Sequence, residues 1–154
     1  MTGDSGQRSA KTVGGAEEGT PFVHRQRVRY LEVDQQGVVF NSWYLAYLDE
    51  AMTAWLEQGD VRYTALMDAG FDVQLVHSEI DWRGSLGWGD VAEISVTPVR
   101  RGRTSFTLTF AIEARHEDAT SSPVATATTV YVTIATDGTG PCPIPPLLDP
   151  LLAS

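Results

Sequence analysis

One stretch without proline or glycine, residues 43–57, limits what this chain can fold into more than any other. Trp43, Tyr44, Leu45, Tyr47, Leu48, Ala51, Met52, Ala54, Trp55 and Leu56 cover most of the circumference of a helix. A helix apolar nearly all round has to be buried. Asn41 or Ser42 is suited to cap its start, and Gly59 to end it. Asp49, Glu50 and Glu57 are its acidic exceptions. Something must therefore wrap around one hydrophobic helix.

The rest of the chain supplies strands. Residues 22–33 alternate, with Val28, Tyr30 and Glu32 on one side and Arg27, Arg29, Leu31 and Val33 on the other. Residues 61–69 read as one or two helical turns ended by Gly70. Phe71, Val73 and Leu75 alternate, and Ile80 and Trp82 continue in the opposite parity, which predicts a bulge or bend near 76–79. After a turn at 84–89, Ala92, Ile94 and Val96 alternate up to Pro98 and Val99. Arg101-Gly102-Arg103 is a tight-turn candidate. Phe106, Leu108, Phe110 and Ile112 give the clearest strand, and 116–122 reads as a loop. Residues 124–134 form a β-branched strand with Val130, Val132 and Ile134 on one face. The proline-rich end from Pro141 is expected to lie along the surface, since proline cannot extend a sheet interior.

The predicted class is α+β: an antiparallel sheet of about five strands wrapped around one long buried helix. Its opposite face or edge is then a candidate for pairing with a second subunit. Residues 1–20, rich in Gly, Ser, Thr and charge, read as a disordered leader. The domain is expected over 21–137, with a C-terminal tail over 138–154.

Charge narrows the function. A net charge of −9 over 154 residues argues against nucleic acid as the main partner. Arginines nevertheless cluster, at Arg25, Arg27 and Arg29 and again at Arg100, Arg101 and Arg103. The single cysteine, Cys142, forms no intrachain disulfide. No apolar run reaches membrane-spanning length and no signal-peptide pattern is present, so a cytoplasmic protein without membrane insertion is expected. No metal-ligand spacing is found, and 84–89 lacks the lysine and spacing of a phosphate loop.

Chemistry is concentrated where the first strand meets the helix. Asp34 sits in the turn, Gly37 frees the backbone to bend, and a helix N-terminus follows within a few residues. A carboxylate beside free backbone N–H groups can attack or hydrolyse a carbonyl. Turn aspartates are common, so residue chemistry alone leaves a purely structural role open.

The run Arg29-Tyr30-Leu31-Glu32-Val33-Asp34-Gln35-Gln36-Gly37-Val38-Val39-Phe40-Asn41-Ser42-Trp43-Tyr44-Leu45-Ala46-Tyr47-Leu48-Asp49-Glu50-Ala51 resembles the hotdog-fold thioesterases. It is most similar to the branch of 4-hydroxybenzoyl-CoA thioesterase and the Tol–Pal-associated acyl-CoA thioesterases. Gly87-Trp88-Gly89-Asp90 and Arg100-Arg101-Gly102-Arg103-Thr104-Ser105-Phe106 are weaker matches. The resemblance implies a hotdog fold and hydrolysis of an acyl thioester to free acid and thiol. It implies that Asp34 acts as nucleophile or general base and that the Asn41 backbone amide polarises the carbonyl. Gln35, Gly37, Val38, Arg100, Arg101, Arg103 and Thr104 are the implied substrate-binding residues, the arginines holding CoA phosphates. Arginine suits that task because its planar fork can bind two oxygens at once. No cofactor is implied; coenzyme A enters as part of the substrate, with an acyl carrier protein as the other possible donor. At least a homodimer is implied, with pairing of dimers into a tetramer as the further alternative and substrate across the subunit interface.

This chain departs from the branch at three points. Asn41 stands where Tol–Pal-type members have histidine, Gln35-Gln36 replaces small or proline residues, and Asp49 replaces a helix glutamate. Two other readings of such a fold are a hydratase or dehydratase and a non-catalytic acyl-thioester-binding subunit. The first normally needs a histidine paired with an acid, which the helix lacks; the retained Asp34 counts against the second.

Overall fold

The computed structural model describes residues 20–153; the expected leader lies outside the described residues except for Thr20. Strand β1 (Phe22–Arg27) leads through a one-turn 3-10 helix (Tyr30–Glu32) to helix α1 (Trp43–Gln58). A short helix α2 (Tyr63–Asp68) follows, and then β2 (Phe71–Trp82), β3 (Val91–Arg101), β4 (Ser105–Arg115) and β5 (Ser121–Ala135). The chain closes with a two-residue strand β6 (Gly140–Pro141), a 3-10 turn (Pro146–Leu148) and helix α3 (Asp149–Leu152). The sheet is antiparallel, in the order β1-β3-β4-β5-β2, with β6 added to β5.

Alternation places one face of the sheet inward. Ile94 pairs with Ile112 and Val96 with Phe110, and Phe110 in turn pairs with Ala127. All of these are buried. Helix α1 meets this face through Tyr44, Tyr47, Leu48, Ala51, Met52, Trp55 and Leu56. Trp55 and Phe106 lie 6.3 Å apart, and Phe106 stacks on Tyr131 at 5.5 Å between centroids. The helix is buried along this stripe only. Leu45 remains 41% exposed, and Ala46, Glu50, Glu57 and Gln58 face outward. The apolar ring read from the sequence thus overstated the burial, because Leu45 and Ala46 on the outer side find no partner in this chain.

The bulge expected in β2 falls between Leu75 and His77. Two other expectations are corrected. The first strand stops at Arg27, not Val33, because the backbone turns at 30–32 and sends the Glu32 side chain inward. The C-terminal segment is not a surface strip. Gly140 and Pro141 extend the sheet, and Ile144, Leu148, Leu151 and Leu152 close the core. Proline is tolerated there because β6 is two residues long and terminal.

Candidate active site

The turn carrying Asp34 is built almost entirely by the backbone. The Asp34 N–H donates to the Val38 carbonyl at 2.9 Å, and the Gly37 N–H returns to the Asp34 carbonyl at 3.0 Å. Gly37 adopts φ +77°, a conformation that side chains with a Cβ resist. Asp34 Oδ1 accepts the Gln36 N–H at 2.8 Å. Among the described residues, Asp34 Oδ2 accepts nothing, so one carboxylate oxygen is free for water or substrate.

Two neighbours fix this turn. Val39 donates its N–H to the Leu86 carbonyl at 2.8 Å, and Val38 pairs with Gly87. On the other side Phe40 N–H donates to the Glu32 carbonyl at 2.9 Å. Glu32 is 1% exposed and is the anchor that sequence reasoning missed. Its carboxylate accepts the Arg29 N–H at 2.7 Å, the Arg29 guanidinium at 3.0 Å and the Tyr47 hydroxyl at 2.7 Å. The Glu32 contact raises the Tyr47 phenol well above its ordinary range, after burial as the larger cause. Arg29 also lies over the Trp43 ring at 5.9 Å.

Helix α1 begins without side-chain capping, contrary to the expectation for Asn41 or Ser42. Backbone carbonyls take the next amides instead: Trp43 N–H donates to Phe40, and Tyr44 N–H to Asn41. Among the described residues, the N–H groups of Asn41 and Ser42 have no acceptor. They add to the partial positive charge at the start of a 16-residue helix. Asp34, Gln35, Gln36, Val38, Val39, Phe40 and Asn41 line one open cleft of 590 Å³. Asp34 and the helix start therefore share a cavity. Gly37 shapes the turn without lining it. Asp49 sits further along the helix, 3.5 Å from the Tyr131 hydroxyl. Its carboxyl is raised chiefly by burial and is away from the cleft lining.

The arginine cluster is elsewhere. Arg100 and Arg101 end β3, and Arg103 and Thr104 form the following turn. The Asp34 turn is tied to the residues just before β3 starts. Eleven residues of strand separate the two ends, a path of roughly 33 Å at a rise of about 3.3 Å per residue. Arg101 makes an ion pair with Asp149 at 2.6 Å, without the alignment of a hydrogen bond. The Arg103 carbonyl accepts the Ile144 N–H at 2.9 Å and the Thr104 carbonyl the Thr133 N–H at 2.8 Å. Within one chain, then, Asp34, Gln35, Val38 and Asn41 are brought together, and Arg100, Arg101, Arg103 and Thr104 are not.

Residues 16–152 match the family model described as the thioesterase-like superfamily. The chain belongs to that superfamily. It is 27% identical over 130 residues to a 1,4-dihydroxy-2-naphthoyl-CoA hydrolase of Picosynechococcus sp., covering 83% of this chain and 89% of the relative. A hypothetical protein of Aquifex aeolicus with a known crystal structure is 28% identical, with a TM-score of 0.77 over 86% of this chain and 99% of its own. The 4-hydroxybenzoyl-CoA thioesterase of Pseudomonas sp. superposes with a TM-score of 0.78 over 84% of this chain and 97% of its own. At 18% identity that likeness is one of fold alone. The superfamily member described here thus keeps the curled antiparallel sheet of its relatives.

Proposed function

We propose that the protein hydrolyses an aromatic acyl-CoA at the cleft between the Asp34 turn and the start of α1. Thioester hydrolysis follows from membership of the superfamily; the residues and the acyl class are our reading. One observation carries it: a carboxylate with an uncommitted oxygen shares a cleft with backbone N–H groups that have no other acceptor. The thioester carbonyl oxygen accepts from the Asn41 N–H, where the helix start favours developing negative charge. Asp34 Oδ2 either attacks the carbonyl carbon or takes a proton from a water that does. In the first route an acyl–Asp34 anhydride forms as CoA thiolate leaves, and water then releases the acid. In the second, hydroxide adds directly and thiolate leaves in one cycle.

The aromatic class is supported by relatives named for 1,4-dihydroxy-2-naphthoyl-CoA and by Phe40 on the cleft wall. We further infer a homodimer in which the partner's Arg100–Thr104 turn meets the CoA phosphates, because this chain's own turn lies too far from its own Asp34.

The test is thiol release over a panel of aromatic and aliphatic acyl-CoAs, with Asp34→Ala as control. Aromatic substrates should lead in kcat/KM by about tenfold or more, and Asp34→Ala should be inactive but folded. An aliphatic preference ends the substrate assignment; an active Asp34→Ala ends the mechanism. A single turnover in oxygen-18 water distinguishes direct hydrolysis, in which the label enters the acid product, from an anhydride opened at the Asp34 carbonyl, in which the label enters the Asp34 carboxylate and the first acid released is unlabelled.

A further inference from the structure

We propose that His116 is a positioning residue for Asp34, acting through Asp90 and the 84–90 turn. The inference rests on Asp34 being the catalytic carboxylate. His116 follows the end of β4. Its Nδ1 lies 2.8 Å from Asp90 Oδ1 and its Nε2 lies 2.8 Å from Ser122 Oγ at the start of β5. Asp90 is only 9% exposed, and its second oxygen, Oδ2, accepts the Gly87 N–H at 2.8 Å. Gly87 pairs with Val38, whose carbonyl accepts the Asp34 N–H at 2.9 Å. Polar contacts thus run from the imidazole to the Gly87 N–H, and the bridge between Gly87 and Val38, closed by the Val39 N–H on the Leu86 carbonyl at 2.8 Å, joins that turn to the backbone of the Asp34 turn.

Packing reinforces the series. A Cβ placed on Gly87 would stand 3.7 Å from the Gly37 carbonyl and 3.5 Å from Asp90 Oδ2. The two turns thus meet backbone to backbone with no side chain between them. Trp88 of the same turn meets Tyr30 edge-on at 5.6 Å, and Val28 donates to the Asp90 carbonyl at 3.0 Å. The turn before β3 is consequently the platform on which the Asp34 turn stands.

A carboxylate buried to this degree needs both oxygens occupied. Gly87 serves one and His116 the other. Loss of the imidazole leaves Asp90 Oδ1 without its partner; the side chain then rotates toward water and releases Gly87. Ser122 holds the ring plane, donating to a neutral imidazole or accepting from a charged one. The three side chains have the spatial order of a nucleophilic relay. The cleft at Asp34, however, is lined by residues 34–36 and 38–41 and not by Ser122, so the geometry favours a tether over a second nucleophile.

The test compares full-length His116→Ala, Ser122→Ala, Asp90→Ala and Asp90→Asn with the parent and Asp34→Ala, by thiol release from an aromatic acyl-CoA. His116→Ala should lower kcat up to about a hundredfold, the effect of a misplacement of about 1 Å, while KM changes by less than about twofold. Ser122→Ala should lower kcat only a few-fold. Asp90→Asn keeps an acceptor for Gly87 and offers an N–H to the ring, so it should recover most of the kcat lost in Asp90→Ala. Amide exchange at Gly87 and Val39 should quicken in His116→Ala and stay parental in Asp34→Ala. Parental kcat in His116→Ala beside an inactive Asp34→Ala overturns the inference alone. Activity in Asp34→Ala removes the reading beneath it. If His116→Ala does not fold, an Asp90→Asn no better than Asp90→Ala overturns the inference. Fluorophosphonate labelling of Ser122, absent in Ser122→Ala, makes the serine a nucleophile and overturns it as well.

Discussion

The Tyr47 hydroxyl donates to the Glu32 carboxylate at 2.7 Å inside the core, joining helix α1 to the segment that enters the Asp34 turn. Both residues are essentially without solvent contact. The helix start and the Asp34 turn are therefore held in one frame from below, while the cleft opens above them.

Breaking that contact should weaken the fold. Tyr47→Phe leaves a buried carboxylate oxygen short of one donor, which costs roughly 1–3 kcal/mol. Urea unfolding of the two proteins measures it, and equal midpoints would show that the bond contributes nothing.

Acid should act on the same carboxyl. Burial alone raises Glu32, but the Arg29 and Tyr47 hydrogen bonds outweigh it and leave the group below its ordinary 4.5. A carboxyl lowered on folding stabilises the native state above its unfolded value and loses that contribution as pH falls through the lowered one. The stability gap between parent and Glu32→Gln should therefore be full at neutral pH and shrink from about pH 4.5 downward. A constant gap between pH 7 and 3, in thermal unfolding, would contradict this.

Gly37→Ala isolates backbone conformation from crowding. A Cβ there meets no atom within 4 Å, yet φ is +77°. The cost should be about 1 kcal/mol, with a loss of kcat as the turn relaxes. Gly37→Asn should recover part of both, since asparagine tolerates this region better than alanine. Unfolding and thiol-release assays on the two variants read the comparison directly.

The distance between Asp34 and the arginine turn makes a complementation experiment decisive. Asp34→Ala and Arg103→Ala chains should each hydrolyse acyl-CoA poorly. After co-refolding, mixed dimers should regain activity, because one site then joins an intact Asp34 with an intact arginine from the other chain. No recovery in proven mixed dimers would mean that each chain serves itself.

Gly59 tests the C-terminal segment. A Cβ there would come within 2.3 Å of Leu151 Cδ2 and 2.6 Å of its Cγ. Gly59→Ala should destabilise by about 1–3 kcal/mol, as overpacking does. Combining it with Leu151→Ala should cost less than the sum of the two, measured in a double-mutant cycle.

Much of the fold was legible because it is local. The span of α1, the bulge in β2 and the alternation of β4 each follow from periodicity within one segment. The end of β1 was not legible: alternation runs on through Val33 while the backbone turns at Tyr30, and what draws Glu32 inward is a tyrosine on another element. The C-terminal segment was misread for a similar reason. Its prolines speak of surface, but its leucines find a cavity beside Gly59 that only the folded chain creates. At the site, Asp34 and Asn41 could be paired from sequence because they lie on one short loop. His116 carried no signal, since its partners Asp90 and Ser122 flank different strands and meet it only in space. The arginines entered through resemblance, with substrate across a subunit interface, and the length of β3 sets them apart from Asp34 within one chain.

The bonds that shape the 34–37 turn run through main-chain atoms and the Asp34 carboxylate, and among the described residues the side chains of Gln35 and Gln36 hold nothing in place. Both nonetheless border the cleft proposed to take the acyl group. Two adjacent codons can accordingly be randomised to seek altered selectivity, with the scaffold beneath them left undisturbed.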